Sequence, residues 1–247
     1  MLRGICLSAL SHSLRSRSLG ELEYASLIAD QAVAKIPSKD MRSLPVSWIY
    51  SILDRKVELR LTLAAHEDGS LPVEDLVILM YLIAREKPES VLEIGTYMGH
   101  TTRAIVENSP NTLVHTLDLP PDFSPREDLV AIPKDDFHLI ENRDVGREFR
   151  GIVGGDRIVQ HFGDSATWDF GKASGATFFF IDGAHTYEYV KNDTTKCFEI
   201  CPNGGTFLWH DVDDRHPGVV RYLAELREEG KDIVRFANSQ LAYFKQK

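Results

Sequence analysis

Hydrophobic periodicity divides the chain into a helical first part and a second part in which short strands alternate with helices. Apolar residues recur at helical spacing over residues 22–34, 46–64 and 73–85. After these segments, short apolar runs that are typical of buried strands alternate with amphipathic stretches. The pattern predicts a helical N-terminal extension over residues 1–70 and an α/β domain over residues 71–247.

The α/β domain is predicted to contain a doubly wound sheet of seven strands, mostly parallel, with an antiparallel hairpin at the C-terminal end. A polar stretch over residues 120–155 is too long for an ordinary connection. We therefore expect a partly helical insertion near the ligand-binding edge of the sheet. The predicted strands cover residues 90–94, 112–117, 157–162, 176–181, 206–209, 233–236 and 241–244.

Charge and composition limit the classes of partner. The 247 residues are 43% hydrophobic and 26% charged, and their formal net charge is -9. A sequence-independent nucleic-acid surface needs clustered positive charge, and the longest apolar stretch is too short to span a bilayer. We therefore expect neither nucleic acid nor membrane as a partner. The N-terminal helices leave room for a homo-oligomer.

The cysteines and the first twenty residues bear on localisation. Three cysteines are odd in number and lack metal-ligand spacing, so we expect buried or idle thiols in a reducing compartment; they are Cys6, Cys197 and Cys201. The first twenty residues contain no acid and three arginines, Arg3, Arg15 and Arg17. This composition overlaps with that of organellar transit peptides. We favour a basic helical extension of a cytoplasmic protein over a targeting segment.

A glycine-bearing turn follows the first predicted strand of the sheet. Gly95 removes a Cβ where a ligand must approach the backbone, and Gly99 relaxes the turn into the next helix. The turn lacks the G-x-G-x-x-G spacing of a dinucleotide fingerprint, and Tyr97 stands where a second close glycine would be needed. The loop is therefore not built for pyrophosphate.

The segment E-I-G-T-Y-M-G-H-T-T at residues 93–102 resembles motif I of class I S-adenosylmethionine methyltransferases. It is similar to the form found in catechol and caffeoyl-CoA O-methyltransferases. The resemblance implies a Rossmann-like sheet with S-adenosylmethionine as cofactor. It further implies that Glu93 and the loop residues Gly95, Tyr97 and Gly99 border the methionine part, and that Thr101 helps to hold the carboxylate.

Acids follow the next two predicted strands. Asp118 ends the second strand, where an acid accepts hydrogen bonds from the ribose hydroxyls in nucleotide-binding sheets. Asp164 and Ser165 follow the third strand, and the resemblance implies a contact with the adenine amino group there. Each acid alone is more often a solvated loop end or a helix cap. Because the acids follow successive strands in this order, we interpret them together as parts of one binding site.

Two further segments, I-D-G-A-H-T-Y and W-H-D, follow the fourth and fifth strands. Their residues are similar to those found in a broad bacterial branch of small-molecule methyltransferases called family 24. Asp182 and Asp211 resemble the metal-binding acids of cation-dependent O-methyltransferases, and Asp182 would also border the cofactor. His185 falls where that family has its catalytic lysine.

One departure from the family pattern bears on the metal. The family usually follows its second acid with Asn, and this chain has Val212 there. Asp213, Asp214, His210 or water would have to complete the oxygen-rich shell that Mg²⁺ or a similar divalent cation prefers. In the alternative interpretation, the two acids only orient the substrate, and His210 packs beside Trp209 as a core histidine.

These features predict a methyltransferase that moves the methyl group of S-adenosylmethionine to an oxygen of a small molecule such as a sugar, a phenol or a polyketide-like compound. The transfer is an in-line displacement, and a hydroxyl of high pKa is a poor nucleophile. A divalent ion on Asp182 and Asp211 could lower that pKa, or His185 could act as a general base with Asp182 beside it. His185 could instead be a metal ligand or a structural residue.

Three other functions compete with this prediction. A non-catalytic module would bind the cofactor without turnover, and the retained Asp182, His185 and Asp211 argue against it. A hydroxylase or a nicotinamide-dependent oxidoreductase could use a similar sheet, although the missing G-x-G-x-x-G spacing disfavours the latter. A nucleic-acid methyltransferase is disfavoured by the negative charge and by the absence of an Asn-Pro-Pro-Tyr or Asp-Pro-Pro-Tyr strand end.

Overall fold

Eight strands form a single mixed sheet in the computed structural model, which describes residues 38–51, 53–62, 69–123, 140 and 143–247. The spatial order is β1-β7-β8-β6-β5-β2-β3-β4. β8 runs antiparallel to both of its neighbours, and all other neighbouring strands are parallel. The strands are β1 Val46–Ser47, β2 Ser90–Ile94, β3 Leu113–Asp118, β4 Ile158–Phe162, β5 Phe178–Ile181, β6 Thr206–Trp209, β7 Val234–Phe236 and β8 Ala242–Lys245.

Helices cover both faces of the sheet. The α-helices of the described residues are α1 Lys39–Ser43, α2 Val73–Glu86, α3 His100–Asn108, α4 Tyr187–Ile200 and α5 Pro217–Glu228. Short 3-10 helices occupy Ile49–Ser51, Arg147–Phe149, Gly155–Arg157 and Phe170–Ala173. None of the helices that the structure describes is long and apolar enough to cross a membrane.

Alternation along the central strands divides the core between the two faces. In β5, Phe178 and Phe180 pack in the cluster that contains residues of α2 and α3. Phe179 and Ile181 belong to the opposite cluster, which contains residues of α4 and α5. Successive side chains of a strand point to opposite faces, so a run of four apolar residues is buried on both sides. The strand run therefore fixes β5 at the centre of the sheet.

The predicted Rossmann-like doubly wound sheet is confirmed, including its antiparallel C-terminal hairpin, with one strand more than the predicted seven. The additional strand is β1, which lies in the segment predicted as a helix over residues 46–64. That helix prediction is wrong for the described residues, because the backbone of this segment pairs with the sheet edge. Arg235 donates its N–H to Pro45 O at 2.9 Å, and Ala237 donates to Ser47 O at 2.9 Å.

Two further predictions lie wholly or partly outside the described residues. The helix predicted over residues 22–34 is one of them. In the insertion predicted over residues 120–155, the described part contains the 3-10 helices Arg147–Phe149 and Gly155–Arg157. The division of the chain at residue 70 stays a prediction, although β1 joins residues from the first part to the sheet of the second.

Candidate active site

A cavity of about 480 Å³ opens at the carboxyl ends of β2, β3, β4, β5 and β6. Ligands of open parallel sheets bind at this edge, because the loops leaving the strands diverge there. Most of the site residues predicted from the sequence lie along the wall of this one cavity. They are Gly95, Tyr97, Gly99, Thr101, Asp118, Asp164, Ser165, Asp182, His185 and Asp211. Glu93 does not line it.

The loop after β2 approaches the backbone after β5 too closely for a side chain. Gly95 has a φ of +100°, and a Cβ there would lie 2.0 Å from the backbone oxygen of Asp182. Gly99 has a φ of +90°, and its Cβ would meet the ring of Phe149 at 2.6 Å. Both positions of the predicted cofactor loop therefore require glycine, because a Cβ would clash with neighbouring atoms. The missing side chains also leave the backbone open to the cavity.

Glu93 lies beneath this loop and is fully buried. Thr116 donates to its Oε2 at 2.6 Å, and Thr102 of α3 donates to the same atom. Burial raises the pKa of Glu93 to about 8, because the charged carboxylate loses its hydration. Glu93 thus joins β2, β3 and α3, and its contact with a cofactor stays a prediction.

Asp118 lies at the end of β3 with its carboxylate inside the cavity. The backbone N–H groups of Tyr97 and Leu119 donate to its two oxygens, each at 2.6 Å. Nη2 of Arg143 is 2.6 Å from Oδ1 of Asp118, and both side chains are only 7% exposed. Burial raises the pKa of Asp118, and the Arg143 charge opposes that rise. Arg143 was not predicted from the sequence, because it lies in the polar insertion.

Asp164 and Ser165 follow β4 and are held by α4. The Tyr189 hydroxyl donates to Oδ1 of Asp164 at 3.0 Å, and the side-chain amide of Asn192 donates to the backbone oxygen of Ser165 at 3.0 Å. Burial raises the pKa of Tyr189 to about 12, with Asp164 adding to the rise. The phenol is therefore a hydrogen-bond donor at neutral pH and orients Asp164 at the cavity wall.

A buried histidine joins the two acids at the ends of β5 and β6. Nδ1 of His210 lies 3.0 Å from Oδ1 of Asp182 and 3.3 Å from Oδ2 of Asp211. Its other nitrogen, Nε2, is 3.1 Å from Oδ2 of Asp75 in α2. His210 is buried, as expected of a core histidine, and its ring lies among three carboxylates.

The electrostatics of this cluster follow from burial and proximity. Burial raises the pKa of Asp182. Burial disfavours charge on His210, but the Asp182 carboxylate and hydrogen bonds with Asp211 and Asp75 raise its pKa well above the usual value. Burial also opposes ionisation of Asp211, yet hydrogen bonds from His185 and His210 hold the pKa of that carboxyl well below its usual range. Asp211 is therefore a carboxylate that keeps its charge.

His185 and His216 lie on the other side of Asp211. Nε2 of His185 is 2.7 Å from Oδ2 of Asp211, and Nδ1 of His216 is 3.5 Å from Oδ1. Nδ1 of His216 is also 3.0 Å from Oδ1 of Asp213. Sequence reasoning found His185 but missed His216 and Asp75. The available signal for His216 was a histidine directly before the proline that begins α5.

The fold is that of a Rossmann-like α/β protein with a cavity at the carboxyl ends of five strands, where ligands of open parallel sheets bind. Residues 92–212 match the model of the family described as "Methyltransferase domain". This segment spans the predicted cofactor loop, Asp118, Asp164 and the acids after β5 and β6. The chain therefore carries a class I methyltransferase domain of the family-24 type, and the resemblance seen in its sequence is confirmed.

Among solved structures, the chain is similar to the SAH-bound methyltransferase PaMTH1 of Podospora anserina, at 16% identity and a TM-score of 0.56 over 95% of this chain and 98% of that one. It is also similar to the O-methyltransferase TomG of Streptomyces achromogenes, involved in tomaymycin synthesis and solved with SAM. That match has 13% identity and a TM-score of 0.49 over 89% and 95% of the chains. None of the curated protein sequences matches the chain.

Proposed function

We propose that the protein transfers the methyl group of S-adenosylmethionine to a hydroxyl oxygen of a small molecule. The observation that carries this proposal is the continuity of the cavity. The same space is lined by Thr101, Asp118 and Asp164, the predicted cofactor residues, and by His185 and Asp211, the predicted acceptor residues. A donor and an acceptor bound in one cavity can be aligned for an in-line displacement.

The cofactor half of the proposal rests on the groups around the loop after β2. Gly95 and Gly99 leave backbone open to a ligand, and Asp118 is the acid at the end of β3. The solved structures of PaMTH1 and TomG hold SAH and SAM. We extend this ligand class to the present chain, with Asp118 accepting hydrogen bonds from the ribose hydroxyls and Asp164 facing the adenine amino group.

The acceptor half rests on the acid and histidine cluster. A hydroxyl must lose its proton as the new bond to the methyl carbon forms. His185 and Asp211, with 2.7 Å between Nε2 and Oδ2, place an imidazole and a carboxylate side by side as groups that can take this proton. A divalent ion would achieve the same end by lowering the pKa of a bound hydroxyl. Both routes place the chemistry at the ends of β5 and β6.

The residues that are predicted to bind a metal supply an incomplete set of ligands. Asp182 and Asp211 converge, since both approach Nδ1 of His210 within 3.3 Å. However, Val212 offers no ligand oxygen, and Asp213 already accepts hydrogen bonds from Arg215 and from the side-chain amide of Gln240. A pair of acids with a histidine between them is a poor match for Mg²⁺, which demands near-octahedral oxygen ligation.

Calorimetry with the purified full chain tests the cofactor. We expect saturable binding of S-adenosylmethionine and S-adenosylhomocysteine, with no competition from nicotinamide dinucleotides. Asp118→Asn should weaken binding by about 1 to 3 kcal/mol, the range for hydrogen bonds to a charged group. Asp156→Asn, which changes an exposed acid outside the cavity, should leave binding unchanged. Saturable binding of a nicotinamide dinucleotide without binding of either sulfur ligand would refute the proposal.

Turnover distinguishes an enzyme from a cofactor-binding module. The protein is incubated with S-adenosylmethionine and fractionated small-molecule extracts, and products that gain one methyl group are sought by mass spectrometry. We expect such a product with the wild-type chain and a strong reduction with Asp211→Asn. Cofactor binding without any methylated product across sugar, phenol and polyketide fractions would favour the non-catalytic module.

A further inference from the structure

We propose that His185, Asp211 and His216 form a binding site for a divalent transition-metal ion at the acceptor end of the cavity. This site is not the two-acid site implied by the family resemblance, because two imidazoles from different elements take the place of Asp182. Metal binding here is independent of the cofactor. As an account of how an acceptor hydroxyl is activated, it deepens the proposed function and rests on it.

The three side chains converge although they come from separate parts of the chain. One ligand atom of each lies within 4.8 Å of those of the other two. Asp211 stands between the histidines, with its Oδ2 2.7 Å from Nε2 of His185 and its Oδ1 3.5 Å from Nδ1 of His216. The two imidazole rings are 4.5 Å apart between centroids. A single ion can therefore reach all three residues.

The backbone explains why the two histidines meet. Gly218 lies in the first turn of α5, and a Cβ on it would come within 2.5 Å of the backbone oxygen of His185 and the backbone nitrogen of Tyr187. The absence of that Cβ lets the start of α5 approach the segment after β5. His216, two residues earlier, is thereby held against His185. Asp213 contacts Nδ1 of His216 at 3.0 Å and orients its ring, so the ion would bind His216 through its other nitrogen, Nε2.

The donor set selects the kind of ion. Imidazole nitrogen suits zinc, iron, cobalt, nickel and copper, whereas magnesium and calcium prefer oxygen ligands. Two histidines and one carboxylate are a set that leaves coordination positions for water or a substrate. The side chains of His185, Asp211 and His216 are 19%, 12% and 23% exposed, and all three line the cavity. The open positions of a bound ion would therefore face the acceptor.

The neighbouring cluster of Asp182, His210 and Asp211 is a weaker candidate for the ion. Both ring nitrogens of His210 already contact carboxylates, Nδ1 that of Asp182 and Nε2 that of Asp75. Binding through either nitrogen would break one of these contacts inside the protein, where an uncompensated carboxylate is costly. His210 therefore holds Asp182 and Asp211 in place, and the ion takes the other side of Asp211.

The test uses the full chain freed of metal with a chelator and titrated with Co²⁺, whose visible absorption reports its ligands. We expect one equivalent of Co²⁺ to bind with a spectrum of mixed nitrogen and oxygen ligation. Zn²⁺ should displace it, and Mg²⁺ at the same concentration should not. His216→Ala should weaken Co²⁺ binding by ~100-fold or more, since even outer-shell changes weaken metal binding by 10- to 100-fold. His216→Gln serves as a second variant.

Two control variants test whether the ion binds at the proposed site, at the two-acid site or at another histidine pair. Asp182→Asn should keep Co²⁺ binding, because the proposed ion does not need that carboxylate. His161→Ala should also keep it, although His161 forms another close histidine pair, with Nε2 3.0 Å from Nδ1 of His115. Far-UV circular dichroism and urea unfolding check that each variant is folded, and calorimetry of the wild-type chain with S-adenosylhomocysteine tests the proposed function separately from the metal.

Three results would overturn the proposal: no Co²⁺ binding by the wild-type chain, retained binding in both folded His216 variants, or loss of binding in Asp182→Asn or His161→Ala. The failure of the proposed function looks different. In that case the chain binds Co²⁺ as expected, and neither S-adenosylmethionine nor S-adenosylhomocysteine binds at all.

Discussion

At Gly95 the geometry of the cofactor loop depends on the absence of a single carbon atom. Gly95→Ala would place a Cβ 2.0 Å from the backbone oxygen of Asp182, at a φ of +100°. The backbone after β5 cannot move away from this Cβ without displacing the loop after β2, and the loop cannot move without displacing that backbone. We expect a loss of about 3 kcal/mol or more in the free energy of unfolding, measured by chemical denaturation.

Gly175 provides a matched control for this prediction. It has the same φ of +100°, and nothing lies within 4 Å of its virtual Cβ. Gly175→Ala should therefore lower the free energy of unfolding by only about 1 kcal/mol, because the positive φ of the new alanine is its only penalty. Equal losses at both positions would mean that the contact with Asp182 contributes nothing and that φ alone governs the loop.

Glu93 should give the protein a specific dependence of stability on pH. Its pKa is about 8 in the folded chain, against an ordinary value of 4.5. Below pH 4.5 the carboxyl is protonated in both states. Between 4.5 and 8 the folded state keeps a proton that the unfolded state loses, so stability falls as the pH rises, by up to ~1.4 kcal/mol per pH unit.

Glu93→Gln removes this titration and keeps an oxygen that can accept from Thr102 and Thr116. The difference in unfolding free energy between the variant and the wild-type chain should therefore grow from pH 5 to pH 8 in favour of the variant. Urea unfolding at several pH values measures it. A difference that stays constant over this interval would show that Glu93 does not titrate there.

At the scale of elements, Arg157 closes the end of α3. Its guanidinium donates to the backbone oxygens of Ser109 at 2.6 Å, Val106 at 3.0 Å and Thr112 at 3.1 Å. The last carbonyls of a helix have no partners within the helix, so a cation there satisfies them and complements the helix dipole. The same side chain thereby joins α3 to the start of β3.

Arg157→Ala should lower the free energy of unfolding by about 1 to 3 kcal/mol, because buried carbonyls lose a charged donor. Arg55→Ala is the comparison. That guanidinium is 59% exposed and pairs with Asp54 at 3.4 Å, so its loss should cost about 1 kcal/mol or less. Thermal unfolding of both variants measures the contrast, and losses of similar size would contradict the capping role.

The scale of elements also shows where hydrophobic periodicity misleads. The apolar residues after Pro45 fit a helical period, yet Val46 and Ser47 pair with β7 and Trp48 is 55% exposed. Periodicity reports which residues share a face if a helix forms. It contains no information about an open strand edge elsewhere in the chain that competes for the same backbone groups.

At the scale of the whole molecule, residues before the predicted domain boundary belong to the described core. Met41 and Leu44 are 6% and 1% exposed and pack in the cluster that contains α4 and α5. A chain that begins at residue 71 should be less stable than one that begins at Ser38, by several kcal/mol, because burial of each such side chain contributes about 2 to 5 kcal/mol. Urea unfolding compares the two, and equal stability would support the boundary at residue 70.

The sequence by itself determined the features that depend on local pattern. Buried runs and glycine turns located the central strands to within about two residues, and a strand followed by an acid indicated which edge of the sheet holds the ligand. Gly95, Asp118, Asp182 and Asp211 could be identified in this way. Each is defined by its position relative to its own strand, and the parallel sheet brings these positions together.

Only the tertiary structure decided which side chains meet across elements. His185 and His216 are separated by β6 and α4, and Arg143 reaches Asp118 from an insertion without a regular pattern. Glu93 lies beneath the loop instead of in the cavity, because neighbouring residues of a strand point to opposite faces. Such contacts depend on how closely two backbones approach, and Gly218 shows that a single missing Cβ sets that distance.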